Sequence, residues 1–158
     1  MGMRAYLKKV SSDELNKLLK DPSDLANILF EEDSDTYHLD KSWHAIHYLL
    51  NGSVWGFSSV AGSIFFGGDV ISGGDMGYGP ARYFSPSQVK EISLELEKKD
   101  SKLLFANYSA MLKLGDKIYP GFQNNDEDKE YIEKFFQGLK AFCKEASNEE
   151  MCLISYMT

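Results

Sequence analysis

The sequence predicts an α+β fold, a single domain over residues 1–158. A small mixed sheet, including strands at both ends of the chain, is covered by about five helices, and a three-layer α/β/α sandwich is the alternative. Three observations lead there. Helical periodicity recurs in several segments separated by clear stop signals. Both chain ends read as strands. The length and a hydrophobic content of 43% suit one globular core without disulfides or a structural metal.

Residues 2–9 alternate, with Met3, Ala5 and Leu7 on one face and Arg4, Tyr6 and Lys8 on the other, which predicts a strand. Ser11 with Glu14 forms a capping-box pattern for a helix that carries Leu15, Leu18 and Leu19 and stops at Asp21-Pro22. A short helical stretch covers Leu25 to Phe30. Glu31 to Asp35 places four acids in five residues without the spacing of a calcium loop, which predicts a solvated acidic loop. Leu39 to Leu50 reads as a helix closed by Asn51-Gly52. Residues 52–84 hold nine of the thirteen glycines and predict short strands and tight turns. Ser85-Pro86-Ser87-Gln88 is a second capping box, opening a helix that buries Val89, Ile92 and Leu96. A further helix is expected from Ser101 to Leu112, then a turn at Tyr119-Pro120-Gly121. In the last helix Ile132, Phe135, Phe136, Leu139, Phe142 and Cys143 recur at helical spacing, and Asp126 to Asp128 suit the positive end of its dipole. Met151 to Tyr156 is apolar almost throughout, as a strand covered on both faces would be.

Composition excludes several classes of function. No apolar run approaches the ~20 residues of a membrane helix. A formal charge of −7 and a pI near 4.9, with no basic stripe, argue against nucleic acid. The charged N-terminus lacks the apolar core of an export signal, so a cytoplasmic location is expected. Cys143 and Cys152 lack the spacing of a redox or zinc motif and are expected as reduced core thiols.

Two segments carry candidate site residues. All three histidines lie between positions 38 and 47. On a helical wheel Asp40, His44, His47 and Asn51 form a stripe about 60° wide opposite an apolar face that includes Trp43. Such a stripe suits a borderline metal, a hydrogen-bonding or ligand-contact role, or a plain solvated face. The spacing lacks a built-in glutamate base, and we assign neither metal nor cofactor. The second segment, Gly67 to Tyr83, lacks the signature of a phosphate loop. It predicts either a hairpin with a wide bulged loop or, the reading we favour, an ordered loop that lays Asp75, Tyr78, Arg82 and Tyr83 along the rim of a cleft.

These residues also carry a resemblance. The start Met1-Gly2-Met3, the run Leu39 to Leu50 containing Trp43-His44-Ala45-Ile46-His47, and the run Gly77-Tyr78-Gly79-Pro80-Ala81-Arg82-Tyr83 resemble the YfbM-like family of bacterial proteins, a domain of unknown function. The resemblance spans the whole chain. It implies a bacterial cytosolic protein with helices covering a small sheet, and it brings no catalytic assignment.

The candidate binding residues are therefore Asp40, Trp43, His44, His47, Asp75, Tyr78, Arg82 and Tyr83. The expected function is a binding or interaction domain, of immunity or inhibitor type in one version, with a protein partner or a small ligand. The alternative is a hydrolase or transferase in which His44 or His47 acts as base, oriented by Asp40, and Arg82 holds an anion. That alternative requires the histidines, Asp75 and Arg82 to converge on one pocket. No complete catalytic motif is present, and the sequence leaves the oligomeric state open.

Overall fold

The structure, a computed structural model, describes residues 2–158, so Met1 of the Met-Gly-Met start lies outside the described residues. Five strands, β1 (Ala5–Val10), β2 (Thr36–Asp40), β3 (Asp69–Asp75), β4 (Pro80–Phe84) and β5 (Cys152–Met157), form one sheet in the order β2-β1-β5-β4-β3. Every neighbouring pair is antiparallel, so the sheet is not mixed and the class is α+β. A single crossover helix returns a chain parallel to the strand it left. Between β4 and β5 four helices intervene, of which the first, α4 (Pro86–Glu97), and the last, α7 (Asp126–Asn148), pack on each other, and β5 enters reversed.

The remaining helices are α1 (Ser12–Lys20), α2 (Leu25–Phe30), α3 (Trp43–Asn51), α5 (Ser101–Leu104) and α6 (Tyr108–Leu112). The single helix expected over 101–112 is broken by a 3-10 turn at Phe105–Asn107, which raises the helix number above the expected one. Capping follows the sequence closely. Ser11 accepts from the Glu14 N–H at 3.1 Å. Ser85 and Gln88 form the reciprocal box, and Asn125 caps α7 by accepting from the Asp128 N–H at 2.7 Å.

Helices lie on both faces of the sheet, which is the layering of the sandwich alternative with antiparallel strands. On one face α3, α4, α6 and α7 cover Ala5, Leu7, Leu39, Phe84, Leu153 and Met157. On the other α1 and α2 cover Tyr6, Val10, Ile71, Ala81, Ile154 and Tyr156. The central strands β1 and β5 are buried at every position.

That burial corrects one expectation. Lys8 and Lys9 lie inside, and parts of the acidic run are their partners rather than free solvated charges. Lys8 Nζ donates to the Glu31 carbonyl at 3.0 Å and to Asp33 at 3.1 Å. Lys9 Nζ meets Glu149 at 3.2 Å, Glu145 at 3.4 Å and Asp35 at 3.7 Å. Burial works against the Lys9 charge, yet Glu149 and Glu145 together hold its pKa above the ordinary lysine value. The Lys8 hydrogen bond lowers the Asp33 pKa.

The second correction concerns the histidine helix. Leu39 and Asp40 belong to β2, where Asp40 pairs with Ala5 and His38 with Tyr6, and the helix begins only at Trp43. Pairing with β1 outweighs the helical periodicity of this stretch. Asp40, at φ 49°, then turns the chain out of the strand.

Candidate functional site

Helix α3 does not present its histidines to solvent. Residues 53–66 fold over it as a cover of turns, and His44 and His47 are 1% and 0% exposed. Both nitrogens of His44 are engaged. The Tyr119 backbone N–H donates to Nδ1 at 3.0 Å, so the ring proton sits on Nε2, which donates to the Val54 carbonyl at 3.0 Å. Burial depresses the His44 pKa, which fixes the neutral ring. His44 thereby ties the cover to the cis Tyr119-Pro120 turn.

His47 is more deeply isolated. The Asn51 side-chain amide reaches its Nδ1 at 3.2 Å, and the carbonyls of His47 and Gly62 at 2.9 Å each. The amide has two protons for these three acceptors, so Nδ1 shares one of them; Nε2 makes no hydrogen bond among the described residues, and the backbone of Gly56 and Trp55 lies beside the ring. Burial, aided by neighbouring His44, lowers the His47 pKa to about 4. Gly62 packs so tightly on the Asn51 side chain that a Cβ there would overlap it. Aromatic rings close the cluster: Trp43 stacks on His44 at 4.7 Å, Trp55 tilts over it at 4.6 Å, and Phe66 meets His47 edge-on at 5.0 Å.

Phe66 is also a wall. On its other side lies a cleft of about 130 Å³ lined by Phe65, Phe66, Tyr78, Arg82, Ser155 and Met157 among others. The β3–β4 hairpin builds its rim, with the irregular, bulged pairing between Val70 and Asp75 that the glycines permit. Gly68, at φ 73°, sits against the Tyr83 carbonyl where a Cβ would collide. At the hairpin tip Asp75 accepts from the Gly77 and Gly79 N–H groups at 2.6 and 3.1 Å.

The expected residues therefore separate into four places. Tyr78 and Arg82 line the cleft. Trp43, His44 and His47 stand behind Phe66 and do not reach it. Tyr83 packs toward the opposite face of the sheet, and Asp75 shapes the tip. Asp40 stands at the sheet edge, accepting from Tyr131 Oη at 2.7 Å and pairing with Arg4 at 3.3 Å. The shared stripe of Asp40, His44, His47 and Asn51 loses Asp40, because three of its members are on helix α3 and Asp40 is on strand β2. Sequence reasoning missed Ser155, which the apolar run of β5 conceals, and Phe66, which the glycine-rich surroundings conceal.

The chain has two arginines. Arg4 is paired with Asp40, whereas Arg82, half-buried, has no carboxylate partner among the described residues. A larger cavity of about 540 Å³ lies between the starts of α1 and α4 and the end of α7, but Lys90 and Glu150 line it with opposite charges and none of the expected residues reaches it. Among the described residues no group of three or more His, Cys, Asp or Glu is placed to hold a metal, and no helix is long and apolar enough to cross a membrane.

With this geometry established, comparison with known proteins gives the lineage. A family model described as a domain of unknown function, DUF1877, matches residues 1–156. The chain belongs to the DUF1877 family. The fold of this DUF1877 chain is similar to the crystal structure of YfbM from Escherichia coli, a protein of unknown function. The two are 17% identical with a TM-score of 0.74, over 98% of this chain and 99% of that one. At that identity the likeness shows the fold alone. No curated protein matches the DUF1877 chain.

Proposed function

We propose that this protein is a binding domain acting in the cytoplasm, and that its ligand engages the Arg82 cleft and the rim around it. The observation that carries this reading is the unpaired guanidinium of Arg82, half-buried beside aromatic side chains, in a protein whose other arginine is paired. A half-buried charge without a partner adds nothing to stability, whereas a ligand that completes it gains a charge-assisted hydrogen bond. Exposed apolar groups stand by Arg82: Tyr78 lines the cleft and Val70 pairs with Arg82 across the hairpin.

Hydrolase or transferase chemistry has less support. It needs a titrating base within hydrogen-bond reach of the substrate. His44 has both nitrogens engaged, His47 is sealed behind Phe66, and Asp75 is occupied by tip amides. Burial pushes the Cys143 thiol up to about 12, which removes it as a nucleophile. The formal charge of −7 adds a finer version, in which a basic protein is the partner and charge speeds association, as in an inhibitor or immunity protein.

The test is incubation with size-fractionated extract of the protein's own cells, read by native mass spectrometry and thermal denaturation together. Binding predicts a stoichiometric adduct and a raised melting temperature. Time-dependent consumption of an extract component by the unaltered protein would overturn the reading in favour of an enzyme.

A further inference from the structure

We propose that the Arg82 cleft receives the carboxylate of an apolar or aromatic acid. This rests on the binding reading above and names the chemistry of the ligand. Two independent observations at one place support it. Arg82 brings a planar, five-donor guanidinium without an internal carboxylate. Opposite it Ser155, in register with Arg82 on the adjacent strand, is only 3% exposed and makes no side-chain hydrogen bond among the described residues, although it lines the cleft. His47 Nε2 is the buried side-chain polar atom without a partner among the described residues, so the Ser155 hydroxyl, unbonded within the protein, is open to the cleft it lines.

The donor set selects the anion. A phosphate carries up to two charges and three acceptor oxygens, and sites for it commonly use several cations or a nest of backbone amides. The hairpin tip could have formed such a nest, but its amides are occupied: those of Gly77 and Gly79 donate to Asp75, and that of Tyr78 donates to the Met157 carbonyl at 3.3 Å. One guanidinium and one hydroxyl remain, which matches a monoanionic carboxylate held by the arginine fork. The volume of about 130 Å³ is room for about four water-sized groups. The acid group therefore enters and the rest of the ligand lies outside, where Phe66 and Tyr78 of the cleft wall offer apolar surface. The overall charge of −7 does not prevent this, since exposed charges are screened beyond about 10 Å at 0.1 M salt and the guanidinium is the adjacent one.

The experiment is titration of the unaltered protein with 3-phenylpropionate, 3-phenylpropanamide and phenyl phosphate, followed by ligand-detected NMR and calorimetry. A dipeptide ending in phenylalanine is added in its acid and amide forms. The acid is expected to bind at least about tenfold more tightly than its amide, and Arg82→Gln to weaken it by about tenfold or more. Arg82→Lys should fall between, because lysine keeps the charge and loses the fork. Tighter binding of the dipeptide acid than of phenylpropionate would identify a polypeptide C-terminus as the source, and the reverse order a small metabolite; both orders support the carboxylate. Equal affinity for acid and amide, full affinity in Arg82→Gln, tighter binding of phenyl phosphate, or no binding of either acid would each overturn the proposal. If Arg82→Gln does not fold, the acid-against-amide comparison on the unaltered protein decides. An extract ligand captured while neither acid binds would remove the carboxylate assignment and leave the binding reading. Turnover of a bound acid would do the opposite.

Discussion

The two histidines of α3 and the arginine of β4 are the conspicuous polar groups of this chain, and the fold treats them in opposite ways. His44 holds two separate loops through its two nitrogens, and His47 is enclosed by Asn51, Phe66 and the 53–66 cover. Arg82 lies half-buried on the other side of Phe66 with no ion-pair partner among the described residues. The difference teaches that residue type alone does not mark a ligand site. His44, with both nitrogens bonded internally, ties the structure together, and His47, though its Nε2 has no partner among the described residues, is closed off from solvent; Arg82 is both unpaired and within reach of a ligand.

Four predictions sharpen this contrast, taken from the largest expected effect downward. His44→Ala should cost about 3 kcal/mol or more, because it opens a cavity and leaves the Val54 carbonyl and the Tyr119 N–H without partners. Urea denaturation measures it, and a loss below about 1 kcal/mol would show the ring to be dispensable to the scaffold.

Acid should act through His47. Its folded pKa, about 4, lies below the ordinary value of 6.5, so the unfolded chain takes up the proton first. Stability is then fully present above the upper value and is lost as pH falls toward the lower one, by at most roughly 3 kcal/mol from this group. Melts from neutral pH down to pH 4 test it, and His47→Leu should flatten the profile across that window. An unchanged slope in the variant would mean that other groups carry the acid sensitivity.

Gly62→Ala comes next, at about 1–2 kcal/mol, since the added methyl must displace the Asn51 amide from the Gly62 carbonyl and from His47. Loosening of the cover should show as faster hydrogen exchange in residues 53–66, with the sheet unaffected. Last, Arg82→Gln should change stability by no more than about 0.5 kcal/mol in either direction. A loss comparable to that of His44→Ala would erase the distinction between the two regions.

Much of the fold was legible because local signals and tertiary packing agree. Ser11, Ser85 with Gln88, and Asn125 sit at helix starts, and the apolar residues of α7 face the core, because caps and periodicity are short-range properties. The candidate site was only half legible. Tyr78 and Arg82 stood out in a glycine-rich segment and do line the cleft. Asp40 was assigned to the histidine helix because its spacing fits a wheel, and no local signal announced that β1 would claim it as a strand residue. Ser155 was hidden in an apolar strand whose alternate faces a wheel or window cannot assign.

The sequence by itself determined the α+β class, most helix boundaries, the burial of the last strand and the two segments that carry polar chemistry. These follow from hydrophobic period, caps and turn residues, all set within a few positions of one another. Only the tertiary structure decided that Lys8 and Lys9 are interior, that the imidazoles of His44 and His47 are buried, and that Arg82 and Ser155 meet across neighbouring strands distant in sequence. The physical reason is that a polar group's role depends on which partners reach it in space, and those partners come from segments that only the completed sheet brings together.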